Sequence, residues 1–187
     1  MTIGYAMCAS FCTFADSLNA LKELKRKYEN IVPIMSCNAY YTDTRFGSSN
    51  SWVDSIENIC GRNIIKTIED AEPLGPKVAL DALVIAPCTG NTLAKLANGI
   101  TDTPVCMAAK AHLRSDRPLL IALASNDAMS ANLGNIGKLL TRKNVYFVPM
   151  KQDDPIKKPH SLVCDFTLLP SALDGAISGK QMRKLFL

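Results

Sequence analysis

The segment Pro87-Cys88-Thr89-Gly90-Asn91-Thr92 places three hydrogen-bonding side chains and a glycine between an aliphatic run and a helical pattern. One of Thr89, Asn91 and Thr92 is enough to cap that helix. The others are free to meet a polar ligand, and Gly90 allows a close backbone approach. Pro87, Thr89, Gly90 and Asn91 are therefore candidate binding residues. A second candidate loop is Met7-Cys8-Ala9-Ser10-Phe11-Cys12-Thr13. It sets Ala9, Ser10 and Phe11 at the start of a helix, where unpaired backbone N–H groups favour a phosphate. An ordinary cap by Ser10 or Thr13 explains the same residues, and the Gly-x-Gly-x-x-Gly pattern of dinucleotide binders is absent.

Short apolar runs alternating with helical patterns position these loops. Residues 2–7, 30–36, 82–86, 119–124 and 145–148 read as buried strands, with 64–68 as a further short one. Pro33 marks the second as an edge strand or a bulge. Helical spacing covers 14–28, 51–59, 91–97, 103–113, 133–140 and 168–177, with Gly61 and Asn98-Gly99 as stops. Strands alternating with helices predict a three-layer α/β/α domain, residues 1–187, with a parallel sheet of about five or six strands. Ligands of such sheets lie beyond the carboxyl ends of the strands, here 8–12, 36–39, 87–92 and 125–129. Two long irregular stretches, 40–50 and 149–161, are expected near the site.

Composition narrows the function classes. The 187 residues are 48% hydrophobic and 20% charged, which suits one globular domain. The formal charge of +4 is spread over short runs at 22–27, 142–143, 157–158 and the end of the chain. No basic stripe of the kind that binds nucleic acid is visible. The seven cysteines form no Cys-x-x-Cys pair and no metal-ligand spacing, so no metal is expected. Free thiols in apolar runs fit a reducing, cytosolic compartment. No signal-peptide pattern is visible, and no apolar run approaches the ~20 residues of a membrane span.

Residues 86–102, with Asn91-Thr-Leu-Ala-Lys-Leu-Ala-Asn-Gly99, resemble the Ala-Pro-Ala-Thr-Ala-Asn-Thr-Ile-Ala-Lys-x-Ala-x-Gly-x-x-Asp signature of the homo-oligomeric flavin-containing cysteine decarboxylases. The resemblance implies a Rossmann-like flavoprotein fold and bound FMN. The phosphate would lie on the Ala9-Ser10 loop near Ser36, and Thr89 and Asn91 would contact phosphate or ring. Residues 122–129 resemble the family's substrate-side Ala-Pro-Ala-Met-Asn-Thr-x-Met segment, with Asn126 on its asparagine, Leu123 on its proline and Asp127 on its threonine. Counting back about 14 residues from Pro87, to where those decarboxylases carry a catalytic histidine, reaches Pro73. Flavin binding is retained in this reading; cysteine decarboxylation is not.

Phe11-Cys12-Thr13-Phe14, Thr42-Asp43-Thr44-Arg45-Phe46-Gly47, residues 71–77, Met107-Ala-Ala-Lys-Ala-His-Leu-Arg114 and Gln152-Asp153-Asp154-Pro155 resemble the B-subunit family of dipicolinate synthases. That resemblance implies formation of pyridine-2,6-dicarboxylate from a lysine-pathway dihydrodipicolinate-type dicarboxylate, in the mother-cell cytoplasm of a sporulating bacterium. It also implies an NAD(P)-binding A subunit as partner and self-association as a trimer or dodecamer. Arg45 is then the candidate carboxylate clamp, because a guanidinium grips carboxylates bidentately; a surface pair with Asp43 is the alternative. Lys77, Lys110 and Arg114 supply further charge or a solvated face. Asn126 and His112 complete the catalytic candidates, with a structural histidine as the other reading of His112. Glu72 is a possible base or an exposed carboxylate, and Cys88 a packed thiol. A stand-alone FMN-dependent decarboxylase and a non-catalytic regulatory subunit stay open as alternatives.

Overall fold

The computed structural model describes residues 1–75 and 77–187; Pro76, within the 71–77 motif, lies outside the described residues. In chain order the elements are β1 (Thr2–Met7), α1 (Phe14–Lys27), β2 (Asn30–Met35), α2 (Cys37–Tyr41), α3 (Ser49–Cys60), α4 (Ile68–Ala71), β3 (Ala82–Cys88) and α5 (Gly90–Asn98). They continue with α6 (Pro104–Leu113), β4 (Leu119–Ser125), α7 (Leu133–Leu140), β5 (Val145–Phe147), β6 (Met150–Lys151), β7 (Leu162–Cys164) and α8 (Leu169–Ile177). One-turn 3₁₀ segments, Phe11–Thr13 and Phe166–Leu168, precede α1 and α8.

The aliphatic runs pair because each is apolar on both faces, as a sheet covered by helices on both sides requires. Every residue of β3 and β4 is buried. The sheet runs β2-β1-β3-β4-β7-β6, with β5 also on β4. Strands β2, β1, β3, β4 and β5 are parallel. Helices α1, α3 and α8 pack together on one face, and α4 to α7 on the other. The three-layer Rossmann-like architecture is the one expected.

Two features correct the expectation. The sheet is mixed: the lower half of β4 pairs with β5 in parallel, and its last residues, Ala124 and Ser125, pair antiparallel with β7. Strand β6 then pairs antiparallel with β7, so 152–161 is the tip of a hairpin at the carboxyl end of β4. Residues 64–68 are not a strand. Ile65 makes one parallel bridge to Ile34, its N–H donating to the Pro33 carbonyl and its carbonyl accepting from Met35, both at 2.9 Å. Thr67 then caps α4 by accepting the Asp70 N–H. Pro33 does sit on an edge strand, where its missing N–H leaves no rung of the ladder unmade. Helices α3 and α5 end at Gly61 and Gly99 with φ of +70° and +71°, the left-handed conformation that glycine adopts without penalty.

A buried polar chain aligns the site with this scaffold. The Tyr5 hydroxyl donates to the Ser17 carbonyl at 2.8 Å, and Ser17 Oγ donates to the Ala86 carbonyl at 2.6 Å. It ties β1, α1 and the residue before Pro87 together at full burial, where a satisfied hydrogen bond is strongly favoured over an orphaned one.

Candidate functional site

At the carboxyl ends of β1, β3 and β4 lies an open cleft of about 620 Å³. Its floor is Ala9, Ser10 and Phe11 after β1, Thr89, Gly90 and Asn91 after β3, and Ser125, Asn126 and Asp127 after β4. The two irregular stretches also reach the lining, as expected: Arg45 and Phe46 from the first, Asp153 and Lys158 from the second. Of the four strand ends read as ligand-bearing, three line the cleft. The fourth does not, because Ser36 is used as the N-cap of α2, accepting the Ala39 N–H, and is absent from the lining.

The local geometry decides between readings the sequence left open. Neither Ser10 nor Thr13 caps with its side chain. Thr13 Oγ1 instead donates back to the Ser10 carbonyl at 2.9 Å. The Ser10 N–H donates to the Cys8 carbonyl at 2.8 Å, which leaves the Ser10 hydroxyl and the Phe11 and Cys12 N–H groups on the lining as donors for an anion. Thr89 does cap α5: Thr92 N–H donates to its Oγ1 at 3.3 Å, and the two threonine hydroxyls lie 3.2 Å apart. Asn91 is thereby spared capping duty and stays exposed on the lining. Pro87 is behind the lining rather than in it; its carbonyl accepts the Cys8 N–H at 3.0 Å and joins the two loops.

Arg45 is not paired with Asp43. Asp43 accepts both the backbone N–H and the hydroxyl of Ser49, at 2.7 and 2.9 Å, and these bonds hold its carboxyl below the usual range. Among the described residues no carboxylate pairs with Arg45, whose guanidinium lies over the Phe46 ring at 4.9 Å. Lys158, also on the lining, pairs with Asp153 at 2.7 Å, which raises the lysine and lowers the aspartate.

His112 is not in the cleft. It is fully buried at the opposite end of the sheet, bonded through Nε2 to the Pro118 carbonyl just before β4 begins. Burial pulls its pKa below the ordinary histidine value, and its place away from the cleft fits the structural reading. Pro73 sits in the turn after α4, its carbonyl accepting from Lys77 and Val78 N–H groups, and is not on the lining. Lys77, Lys110 and Arg114 are exposed and also outside it. Cys88 is buried with its pKa raised, as a packed thiol should be. Among the described residues no cluster of His, Cys, Asp or Glu is placed to hold a metal ion.

Residue spacing offers little notice of Cys12, Phe46, Asp153 and Lys158, whose place on the lining depends on how two loops fold back. Asp127 carries a signal, since it is charged where a threonine stands in the resembling segment.

A Rossmann-like cleft with an uncapped turn at β1 and a signature loop at β3 can be set against known proteins. A family model described as "Flavoprotein" matches residues 10–171. The chain belongs to the flavoprotein family. Within this flavoprotein family it is 42% identical over 185 residues to the B subunit of dipicolinate synthase from Bacillus subtilis (strain 168), covering 99% of this chain and 92% of that one. The crystal structure of the dipicolinate synthase B subunit from Bacillus halodurans C superposes with a TM-score of 0.90 at 38% identity, over 100% of this chain and 95% of that one. The FMN-dependent cysteine decarboxylase SpaF shares the fold, with a TM-score of 0.69 at 23% identity over 94% of this chain and 97% of that one. No helix among the described residues is long and apolar enough to cross a membrane.

Proposed function

We propose that this flavoprotein is an FMN-binding subunit that works with a nicotinamide-binding A-type partner to form pyridine-2,6-dicarboxylate. Its substrate would be a dihydrodipicolinate-type dicarboxylate, in the cytoplasm of a sporulating mother cell. The observation that carries the reading is the cleft itself: an uncapped turn at Ser10 beside an arginine that no carboxylate neutralises, in a family of flavoproteins.

The cleft volume and donor set suit an FMN. The backbone N–H groups of Phe11 and Cys12 and the Ser10 hydroxyl would receive its phosphate, and Thr89, Gly90, Asn91 and Asn126 would border the ring. When bound, FMN supplies a two-electron acceptor; the A-type partner's NAD(P) supplies the alternative one. Arg45 would grip a carboxylate of the substrate bidentately. Among the described residues no histidine lines the cleft, which fits a reaction other than cysteine decarboxylation. The self-association of this chain into a trimer or dodecamer, as in flavin relatives, belongs to the same proposal.

The test is an absorbance spectrum of the purified chain, before and after incubation with FMN, then a dipicolinate assay with the partner added. A flavin spectrum and partner-dependent product are expected. A colourless protein that stays colourless with FMN, or product formed equally well without this chain, overturns the proposal.

A further inference from the structure

Gly90 opens α5 in the floor of the cleft, and three polar side chains close over it. A Cβ at this position would lie 2.6 Å from Asp127 Oδ1 and 2.7 Å from Asn132 Nδ2, with Ser125 Oγ nearer still. Ser125 Oγ donates a short hydrogen bond to Asp127 Oδ1. Asn132 is buried, and its Oδ1 accepts from Asn135 Nδ2 at 2.9 Å, which turns its own Nδ2 toward Asp127. The Asp127 carbonyl takes the N–H groups of Ser130 and Asn132, at 3.2 and 3.1 Å, and the Ser130 hydroxyl. Asp127 thus ties the end of β4 to the start of α7 and packs that turn against Gly90 at the head of α5. A carboxylate suits the place: two donors point at it, and the amino end of a nine-residue helix favours negative charge.

The residue between the two tied positions is Asn126, exposed on the cleft lining. With Ser125 and Asp127 both fixed, its backbone has little freedom, so the backbone from which its amide projects is ordered before anything binds. We propose that Asp127 is a positioning residue: it locks the 125–132 turn against Gly90 and holds Asn126 ready for the flavin. The lock also fills the helix terminus after β3 with the protein's own carboxylate. A bound anionic group is thereby directed to the Ser10 turn and the Arg45 side. This inference rests on the FMN reading above.

The test is a double-mutant cycle of FMN affinity, followed by quenching of Trp52, the only tryptophan of the chain, together with amide hydrogen exchange of 125–132. Asp127→Ala should weaken FMN binding on the order of tenfold, and Asp127→Asn, which keeps the shape but turns one acceptor into a donor, by less. If Asp127 acts through Asn126, Asn126→Ala/Asp127→Ala binds FMN no more weakly than Asn126→Ala alone. Effects that multiply, or an Asp127→Ala protein that binds FMN like the wild type while Asn126→Ala does not, overturn the inference. A wild-type protein that takes up no FMN refutes the functional reading and the ligand half of this one. Exchange then judges the lock: faster exchange of 125–132 in Asp127→Ala upholds it, and unchanged exchange overturns it.

Discussion

Alanine in place of glycine within a helix ordinarily stabilises a protein, by up to ~1 kcal/mol, and Gly90 should reverse that sign. The added methyl would overlap Asp127 Oδ1 at 2.6 Å and Asn132 Nδ2 at 2.7 Å. Overpacking of this kind costs about 1–3 kcal/mol, and loosening the Ser125–Asp127 bond costs about 1 kcal/mol more. Set against the helical gain, the net loss is about 1–3 kcal/mol. For a domain of this size each kcal/mol moves the midpoint by roughly 2–4 °C, so Gly90→Ala should melt about 2–12 °C below the wild type. Gly134 and Gly137 in α7 have nothing within 4 Å of where a Cβ would stand, and alanine there should raise the midpoint by about 1–4 °C. Thermal unfolding followed by far-UV circular dichroism compares the three. If Gly90→Ala melts at or above the wild type, the three side chains do not close over Gly90 as described, and the lock loses its basis.

Thiol reactivity should divide the seven cysteines. Cys12 and Cys37 are exposed and the other five are buried, with burial pushing Cys8 up to about 12 and Cys60 up to about 11. Ellman's reagent on the native protein should modify two thiols rapidly. Saturating FMN should slow Cys12, which lines the cleft, but not Cys37; equal rates with and without FMN would place the ligand elsewhere. His112 should shape the acid limb of stability. Its folded pKa lies below the unfolded value because burial disfavours the cation. Its contribution is therefore complete above about pH 6.5 and is lost as pH falls through the folded pKa. Urea unfolding between about pH 7 and 5 should show that slope in the wild type and a shallower one in His112→Gln; identical slopes would refute the assignment.

Hydrophobic periodicity made the parallel part of the sheet legible, because β1, β3 and β4 are aliphatic runs buried on both faces. It was silent on β6 and β7, which have two and three residues and are strands only because the end of β4 beyond β5 pairs with β7, and β7 in turn with β6. The run 64–68 misled for the converse reason: three isoleucines look like a strand, yet Thr67, Glu69 and Asp70 favour a helix start at Ile68, and only Ile65 is left to bridge β2. In the site, spacing identified the loops after β1 and β3. Ser36 shows where spacing stops: a strand-end serine that caps a helix, as this one does, and one that meets a phosphate look alike in sequence. Distant groupings such as Ser125, Asp127 and Asn132 around Gly90 depend on the packing of α5 against the turn after β4, which no local pattern encodes.

The change of direction along β4 has a consequence for how this family can diversify. Because β7 runs down from the top of β4 and β6 runs up beside it, ten rim residues, 152–161, are carried on a hairpin whose two feet are bonded to the sheet. Lengthening such a tip is cheap, since doubling a loop adds only about 0.6 kcal/mol of closure entropy. Insertions and deletions there leave the floor residues after β1, β3 and β4 undisturbed. Natural variation can therefore rewrite which molecules are admitted while inheriting the floor unchanged, and comparisons among relatives should find chain-length differences concentrated at that rim.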